Sequence, residues 1–150
     1  MNKEISSLQE RILEISPGLN LRAVLEDSGW ARLGDSFVNF IYSLSYSKAL
    51  KKPGGKKVSD KILKNACIAS GIREFFPSRL DRGKIGDIVE SLILYAWLKG
   101  RVNIETCVDV LESNLKLIEA KKEEEKRAID GFTALLNIIK EKIGDELDRL

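Results

Sequence analysis

Apolar residues recur every three or four positions along most of the chain, the spacing that places side chains on one face of an α-helix. The alternation of apolar and polar residues that is typical of a half-buried strand is scarce. Helix-ending residues interrupt the pattern at Pro17-Gly18, at residues 53–55 and at Gly100. The pattern therefore predicts an all-α fold, a helical bundle of about seven helices. The predicted helices cover about residues 5–15, 19–26, 30–50, 59–70, 84–99, 104–127 and 128–150.

The long helix predicted from about residue 30 or 34 to residue 50 carries two neighbouring stripes. One is apolar and is expected to pack into the core; it consists of Leu33, Phe37, Phe40, Ile41 and Leu44. The other is polar and consists of Asp35, Asn39, Tyr42 and Tyr46. A polar stripe beside a core face is where a functional site would lie, but a plain solvated helix edge has the same pattern.

The helix predicted over about residues 84–99 is apolar nearly all round, which indicates a buried helix. Asp87 and Glu90 are three residues apart, fall together on one side, and are expected in or beside the interior. Burying two like charges costs free energy unless something neutralises them, and a divalent cation commonly does so. The alternative is a carboxylate pair at a solvent edge or a helix cap, and the spacing alone leaves both interpretations open.

Composition excludes several classes of chemistry. A chain of 150 residues suits one domain over residues 1–150 with a single core. It contains no histidine, which excludes an imidazole general base and zinc sites that contain histidine.

Cys67 and Cys107 lie far apart in apolar helical segments, as buried cysteines in a reducing compartment do. The chain shows neither a signal peptide nor a membrane span, so we expect a cytoplasmic protein without membrane association.

Positive charge is concentrated around one loop, although the formal charge of the whole chain is only +2. Residues 48–64 contain seven lysines and one acid, which gives this segment a charge of +6 (7 − 1). A loop rich in lysine and glycine suits contacts with phosphates, which position a nucleic acid without reading its sequence. A solvated lysine-rich loop is the commoner meaning of such a run. The candidate nucleic-acid-binding residues are Lys51, Lys52, Lys56, Lys57, Lys61 and Lys64.

Three segments, taken in order, resemble the endonuclease domain of ribonuclease III. LGDSFV at residues 33–38 is similar to the signature helix of that family, and IGDIVESLI at residues 85–93 is similar to its second acidic helix. Between them, SDKILKNACIA at residues 59–69 has the shape of the family's middle helix. The resemblance covers roughly residues 21–111, so the helices predicted over about residues 104–150 are extra C-terminal elements.

The resemblance implies an all-α, homodimeric nuclease that hydrolyses phosphodiester bonds in double-stranded or structured RNA with Mg²⁺, or with Mn²⁺ as an alternative. In such domains, carboxylates of the two acidic helices hold the metal, which polarises the scissile phosphate and activates a water molecule. By this resemblance, the catalytic and metal-binding residues are Asp35, Asp87 and Glu90. The implied dimer contact has three aromatic candidates, Trp30, Phe37 and Phe40.

The sequence departs from the family pattern in three places. Ala31 stands where full-length members have a Glu four residues before the signature Asp, and Arg32 replaces a residue that is often aromatic. Leu94-Tyr95 replaces the small Gly-Ala pair that usually follows the second Glu. The compact Mini-III relatives, which have no double-stranded-RNA-binding domain, also tend to have Ala before the signature Gly-Asp.

Three interpretations follow from these residues. We favour a Mini-III-like, metal-dependent endoribonuclease. The second interpretation is a non-catalytic, RNA-binding member of the same fold, because one acid of the family pattern is missing. The third is a helical scaffold for protein interactions, in which the acids are structural.

Overall fold

The computed structural model describes residues 6–79, 82–116 and 121–150, and these ranges contain seven α-helices and no β-strand. This confirms the predicted all-α fold. The helices are α1 (Ser7–Leu13), α2 (Leu21–Glu26), α3 (Ser28–Leu50), α4 (Asp60–Ala69), α5 (Arg82–Leu98), α6 (Ile104–Leu115) and α7 (Glu124–Asp148). Short 3-10 turns occupy Ile72–Phe75 and Lys121–Glu123. No helix in the described ranges is both long enough and apolar enough to cross a membrane.

Some predicted helix boundaries are wrong. The break predicted at residues 27–29 consists of Asp27 alone. The Asp27 carboxylate caps α3, because it accepts hydrogen bonds from the backbone N–H of Gly29 (2.6 Å) and of Trp30 (3.4 Å). The helix predicted over residues 104–127 ends at Leu115. The lysines and glutamates that follow are good helix formers and give no stop signal. Residues 5 and 117–120, which were predicted to be helical, lie outside the described residues.

Helix α5 is the centre of the fold, because it contacts α1, α2, α3, α4 and α7. Its residues 88–96 are all buried, which agrees with the apolar character of the sequence around the helix. Helix α6 packs between α3 and α7, and α7 also packs against α4. The two helices that carry the acidic motifs, α3 and α5, therefore lie side by side.

The face of α3 that enters the core differs from the predicted one. Of the five predicted core residues only Ile41 is fully buried, whereas Leu33, Phe40 and Leu44 are exposed. The buried residues of α3 are Trp30, Gly34, Val38, Ile41, Tyr42 and Ser45. Helix α3 thus has two apolar stripes, one inside the chain's own core and one on its surface.

The backbones of α3 and α5 approach each other closely at Gly34. A Cβ atom added to Gly34 would lie 2.6 Å from the carbonyl oxygen of Glu90 and 3.1 Å from the backbone nitrogen of Ser91. Backbone atoms in the middle of a buried helix cannot move aside as the end of a flexible side chain can. The glycine of the first motif therefore allows the short distance between the two acidic helices.

Replacing Gly34 with Ala should lower the free energy of unfolding by about 1–3 kcal/mol, because the two helices must separate to admit the methyl group. Urea unfolding measures this change. The matched control is Gly144→Ala in α7, where an added Cβ meets nothing within 4 Å. Because Ile143 next to it has non-helical backbone angles (φ −122°, ψ 23°), the full gain in helix propensity is not expected, and the free energy of unfolding should stay within about 1 kcal/mol of the wild-type value. An unfolding free energy of Gly34→Ala equal to that of the wild type would contradict the close approach.

Candidate active site

Carboxylates from three helices line one cavity of about 570 Å³. Asp35 comes from α3, Asp60 is the first residue of α4, and Asp87 and Glu90 come from α5. The three acids singled out by the sequence therefore lie around the same space, and α4 adds a fourth that the sequence analysis missed. The remaining lining residues are Arg32, Lys57, Val58 and Ser59.

Local structure explains the position of Asp60. The Ser59 hydroxyl caps α4 by accepting a hydrogen bond from the backbone N–H of Ile62 (3.3 Å), so that Asp60 lies in the first helical turn. Opposite Asp60 on α5 is Gly86, where an added Cβ would lie 2.5 Å from Asp60 Oδ1. The glycine of the second motif leaves the room that this carboxylate occupies. The one sequence signal for Asp60 is that it is the single acid of the lysine-rich segment.

Asn39 connects the acid of α3 to the segment before α4. Its Nδ2 atom donates a hydrogen bond to Asp35 Oδ1 (3.2 Å), and its Oδ1 atom accepts one from the backbone N–H of Val58 (2.8 Å). Asn39 therefore helps to orient the Asp35 carboxylate. Two members of the predicted polar stripe, Asp35 and Asn39, thus belong to the cavity region.

The other two residues of the stripe lie elsewhere. Tyr42 is buried, which raises the pKa of its hydroxyl, and this hydroxyl has no hydrogen-bond partner within the described residues. The Tyr46 hydroxyl donates to Glu124 Oε1 (3.1 Å), and Lys56 Nζ lies 4.7 Å from the centre of the Tyr46 ring. Both tyrosines contact residues of α7: Tyr46 through Glu124, and Tyr42 through the ring of Phe132.

Glu90 is the buried carboxylate of the cavity, with 4% of its surface exposed. Burial raises the pKa of Glu90 to about 9, and a hydrogen bond with Asp35 and the charges of Asp35, Asp60 and Asp87 act in the same direction. Near neutral pH the metal-free protein therefore holds a proton on Glu90. Both acids of α5 were predicted to lie in or beside the interior; Glu90 is buried, whereas Asp87 is exposed at the cavity.

The cavity offers oxygen ligands of the kind that Mg²⁺ and Mn²⁺ accept. In the described ranges no three histidine, cysteine or acidic side chains already form a group that could hold a metal ion. The carboxylates would have to draw together, and Glu90 would have to exchange its proton for the cation. Glu90 is buried and is neutral only while it carries a proton. A divalent cation can neutralise the same carboxylate in place of that proton.

Three of the six candidate RNA-binding lysines are exposed in or next to the loop between α3 and α4. Lys51 and Lys52 directly follow α3. Lys57 lines the acidic cavity, together with Arg32 from the first turns of α3. Positive side chains thus lie on the walls of the cavity itself as well as along the loop that leads to it.

The other three candidates have neighbours that limit their availability. Lys56 Nζ lies 3.2 Å from Glu124 Oε2, and Lys61 Nζ lies 3.0 Å from Glu125 Oε1. Lys64 is half-buried on α4. The lysine-rich segment is therefore partly neutralised by acids at the start of α7.

An apolar surface stripe of Leu33, Phe40 and Leu44 runs along α3. Next to it is an apolar groove of about 270 Å³, whose lining includes Leu8 and Trp97. Of the three aromatic candidates for a dimer contact, Phe40 is 54% exposed. Trp30 is buried within the chain, and Phe37 stacks on Trp97 with a ring-centroid distance of 4.8 Å.

A sequence model of the family described as Ribonuclease III matches residues 28–145 of the 150-residue chain. The match begins with α3, ends within α7, and includes both acidic motifs and all four cavity carboxylates. A search of the curated proteins finds no match for this chain. The family match spans most of the sequence and confirms the resemblance carried by the two motifs. This chain belongs to the ribonuclease III family.

Proposed function

We propose that this protein is a divalent-cation-dependent endoribonuclease that acts on double-stranded or structured RNA. The observation that carries the proposal is one cavity lined by carboxylates of three helices and by two basic residues, Arg32 and Lys57. Carboxylates suit a divalent cation, and basic side chains beside them suit the phosphates of a polyanion. Membership of the ribonuclease III family supports RNA as the substrate class.

Asp35, Asp87 and Glu90 are the residues that would hold the Mg²⁺ or Mn²⁺ ion. When bound, the ion supplies charge stabilisation at the scissile phosphate and lowers the pKa of a coordinated water molecule. Glu90 gives up its proton as the cavity loads, and Asn39 keeps Asp35 oriented through its hydrogen bond. Because the chain has no histidine, proton transfer does not depend on an imidazole.

The exposed lysines and Arg32 bind the phosphates on either side of the cleavage position in this proposal. Phosphate contacts of this kind make binding dependent on salt and independent of sequence. Lys56 contributes less, because it pairs with Glu124 and packs on the Tyr46 ring.

Replacing Lys51, Lys52 and Lys57 with Ala should weaken the binding of an RNA duplex and reduce its salt-dependence slope by roughly one unit per lost contact. Fluorescence anisotropy across a series of salt concentrations measures both quantities. The control is Lys142→Ala, because Lys142 is an exposed lysine of α7 outside the lysine-rich loop. Its backbone carbonyl accepts a hydrogen bond from Arg101, which follows the C-terminal end of α5. An unchanged affinity and slope in the triple variant would rule out these phosphate contacts.

A homodimer through the exposed apolar stripe of α3 is the second part of the proposal. An interface between two copies of this chain requires an exposed apolar surface. Helix α3 offers one in the row of Leu33, Phe40 and Leu44 beside an apolar groove. A two-fold axis at this helix would relate two cavities, one for each strand of a duplex.

Phe40→Asp should convert the dimer into a folded monomer, because a charge would replace an aromatic side chain at the interface. Light scattering at micromolar concentration measures the mass. Ile68→Asp on α4 is the matched control, since Ile68 is 52% exposed but lies outside the stripe, and it should stay dimeric. A monomeric wild type at this concentration would refute the dimer.

A cytoplasmic location completes the proposal. Cys67 and Cys107 are both buried and unpaired, which is typical of proteins in a reducing compartment. Burial raises the pKa of Cys67 to about 11 and that of Cys107 to about 12, so neither thiol is suited to redox chemistry.

Incubation of the protein with a defined RNA duplex, in Mg²⁺ and in a chelator, separates the three interpretations. The proposal predicts cleavage in Mg²⁺ and none in the chelator. Salt-sensitive binding without cleavage in either Mg²⁺ or Mn²⁺ would identify a non-catalytic RNA-binding member of the family. Neither binding nor cleavage would favour a scaffold for protein interactions.

A further inference from the structure

We infer that Asp60 is a fourth carboxylate of the cation site, supplied by the first turn of α4. The inference rests on the proposed cation-dependent function and concerns a residue outside the two acidic motifs. Three observations carry it: the cavity that Asp60 shares with the motif acids, the glycine opposite its carboxylate, and the lack of an ion pair with the lysines around it.

Asp60 lies where α4 and α5 contact each other. Its carboxylate lies against the backbone at Gly86, where an added Cβ would be 2.5 Å from Oδ1 and 3.2 Å from Cγ. Gly86 directly precedes Asp87, so the glycine brings the Asp60 carboxylate next to the segment that carries a proposed ligand. If Asp60 only stabilised the start of α4, its carboxylate would not need a glycine opposite it on α5.

The charges around Asp60 support the same inference. Residues 48–64 contain seven lysines, yet no ion pair within the described residues includes Asp60. The carboxylate instead lines the cavity with Asp35, Asp87 and Glu90. On α3, Ala31 lies one turn before Asp35 and adds no charge. Asp60 is therefore the fourth carboxyl group of the cavity, and its negative charge favours a divalent cation there.

A second role of Asp60 has to be separated from this one. An acidic residue in the first turn stabilises a helix through the helix dipole, whether or not a cation binds nearby. Glu105 also lies in the first turn of its helix, α6, which is capped by Asn103, and it is exposed. Glu105→Gln therefore removes a first-turn charge of the same kind at a helix whose start lies outside the cavity.

The test is Mn²⁺ binding to the full chain by isothermal titration calorimetry, together with the rise in melting temperature that Mn²⁺ causes. Asp60→Asn should bind Mn²⁺ about tenfold more weakly, as is usual when a supporting group of a metal site is removed, and should show a smaller rise in melting temperature. Asp60→Glu should recover part of the affinity. Glu105→Gln should bind Mn²⁺ as the wild type does.

The outcomes distinguish the inference from the proposed function. If Asp60→Asn binds Mn²⁺ as tightly as the wild type while Asp87→Asn loses binding, the role of Asp60 is overturned. The proposed function would still stand. A wild type that binds no Mn²⁺ would overturn the proposed function itself. If far-ultraviolet circular dichroism shows that Asp60→Asn is unfolded, Asp60→Ser carries the same expectation, since it keeps a small polar side chain after Ser59.

Discussion

Replacing Asp87 with Asn and Glu90 with Gln should abolish RNA cleavage while leaving the protein folded. The amides keep the shape of the side chains but are neutral and bind a divalent cation poorly. Loss of the cation removes several kcal/mol of transition-state stabilisation, so the rate should fall by about 10³-fold or more. Cleavage of a labelled duplex under single-turnover conditions measures the loss.

The same double variant should change the stability of the protein in a characteristic way. Millimolar Mg²⁺ or Mn²⁺ should raise the melting temperature of the wild type by mass action, because the cation binds only the folded arrangement. The variant should lose this rise. Without metal it should be at least as stable as the wild type, because the repulsion among the acids and the cost of a buried carboxyl are gone.

Helix α6 provides a matched control for this experiment. Asp109 and Glu112 have the same spacing as Asp87 and Glu90, and both lie within 4 Å of Lys48 Nζ, at 3.7 Å and 3.2 Å. Asp109→Asn with Glu112→Gln should retain cleavage and the response to metal. A wild-type melting temperature that is indifferent to both metals over a wide concentration range would count against the cation site.

The metal-free wild type should lose stability as the pH rises from about 4.5 to about 9. In the folded protein the pKa of Glu90 is about 9, whereas its ordinary value is 4.5. Between these values the folded state binds a proton that the unfolded state releases, so the free energy of unfolding falls by up to about 1.4 kcal/mol per pH unit. The contribution is complete below pH 4.5 and is lost above pH 9.

Urea unfolding at a series of pH values, in a chelator, tests this dependence. Glu90→Gln should unfold with a flatter pH profile than the wild type, and the two curves should diverge most at the alkaline end. The apparent affinity for Mn²⁺ should rise over the same pH range, because the cation displaces the proton of Glu90. Parallel profiles for Glu90→Gln and the wild type would show that Glu90 is ordinarily ionised.

Helical periodicity predicts the all-α fold and the burial of α5, because both depend on patterns within one segment. It does not predict which face of α3 enters the core, since that helix has two apolar stripes and only one meets α5 and α6. Leu33 and Phe40 were expected inside for this reason and lie on the surface. Gly34 lies on the buried stripe, where its missing side chain allows α5 to approach.

The partners of charged side chains are harder to predict from sequence, because they are distant along the chain. Lys56 and Lys61 appear as free positive charges in a loop-rich segment, but acids of α7 lie beside them. Asp60 appears as an isolated acid among lysines, but it lies against Gly86 of α5. The two acidic motifs were found because each is local and resembles a known pattern, whereas Asp60 belongs to neither motif.

The most direct test of the central claim is anomalous diffraction from crystals of the protein soaked in Mn²⁺. The claim is that the cavity between α3, α4 and α5 holds the cation on which RNA cleavage depends. It predicts an anomalous peak inside this cavity, in contact with carboxylate oxygens of Asp35, Asp87 or Glu90, and loss of the peak in Asp87→Asn with Glu90→Gln. A cavity without anomalous density at saturating Mn²⁺ would contradict it.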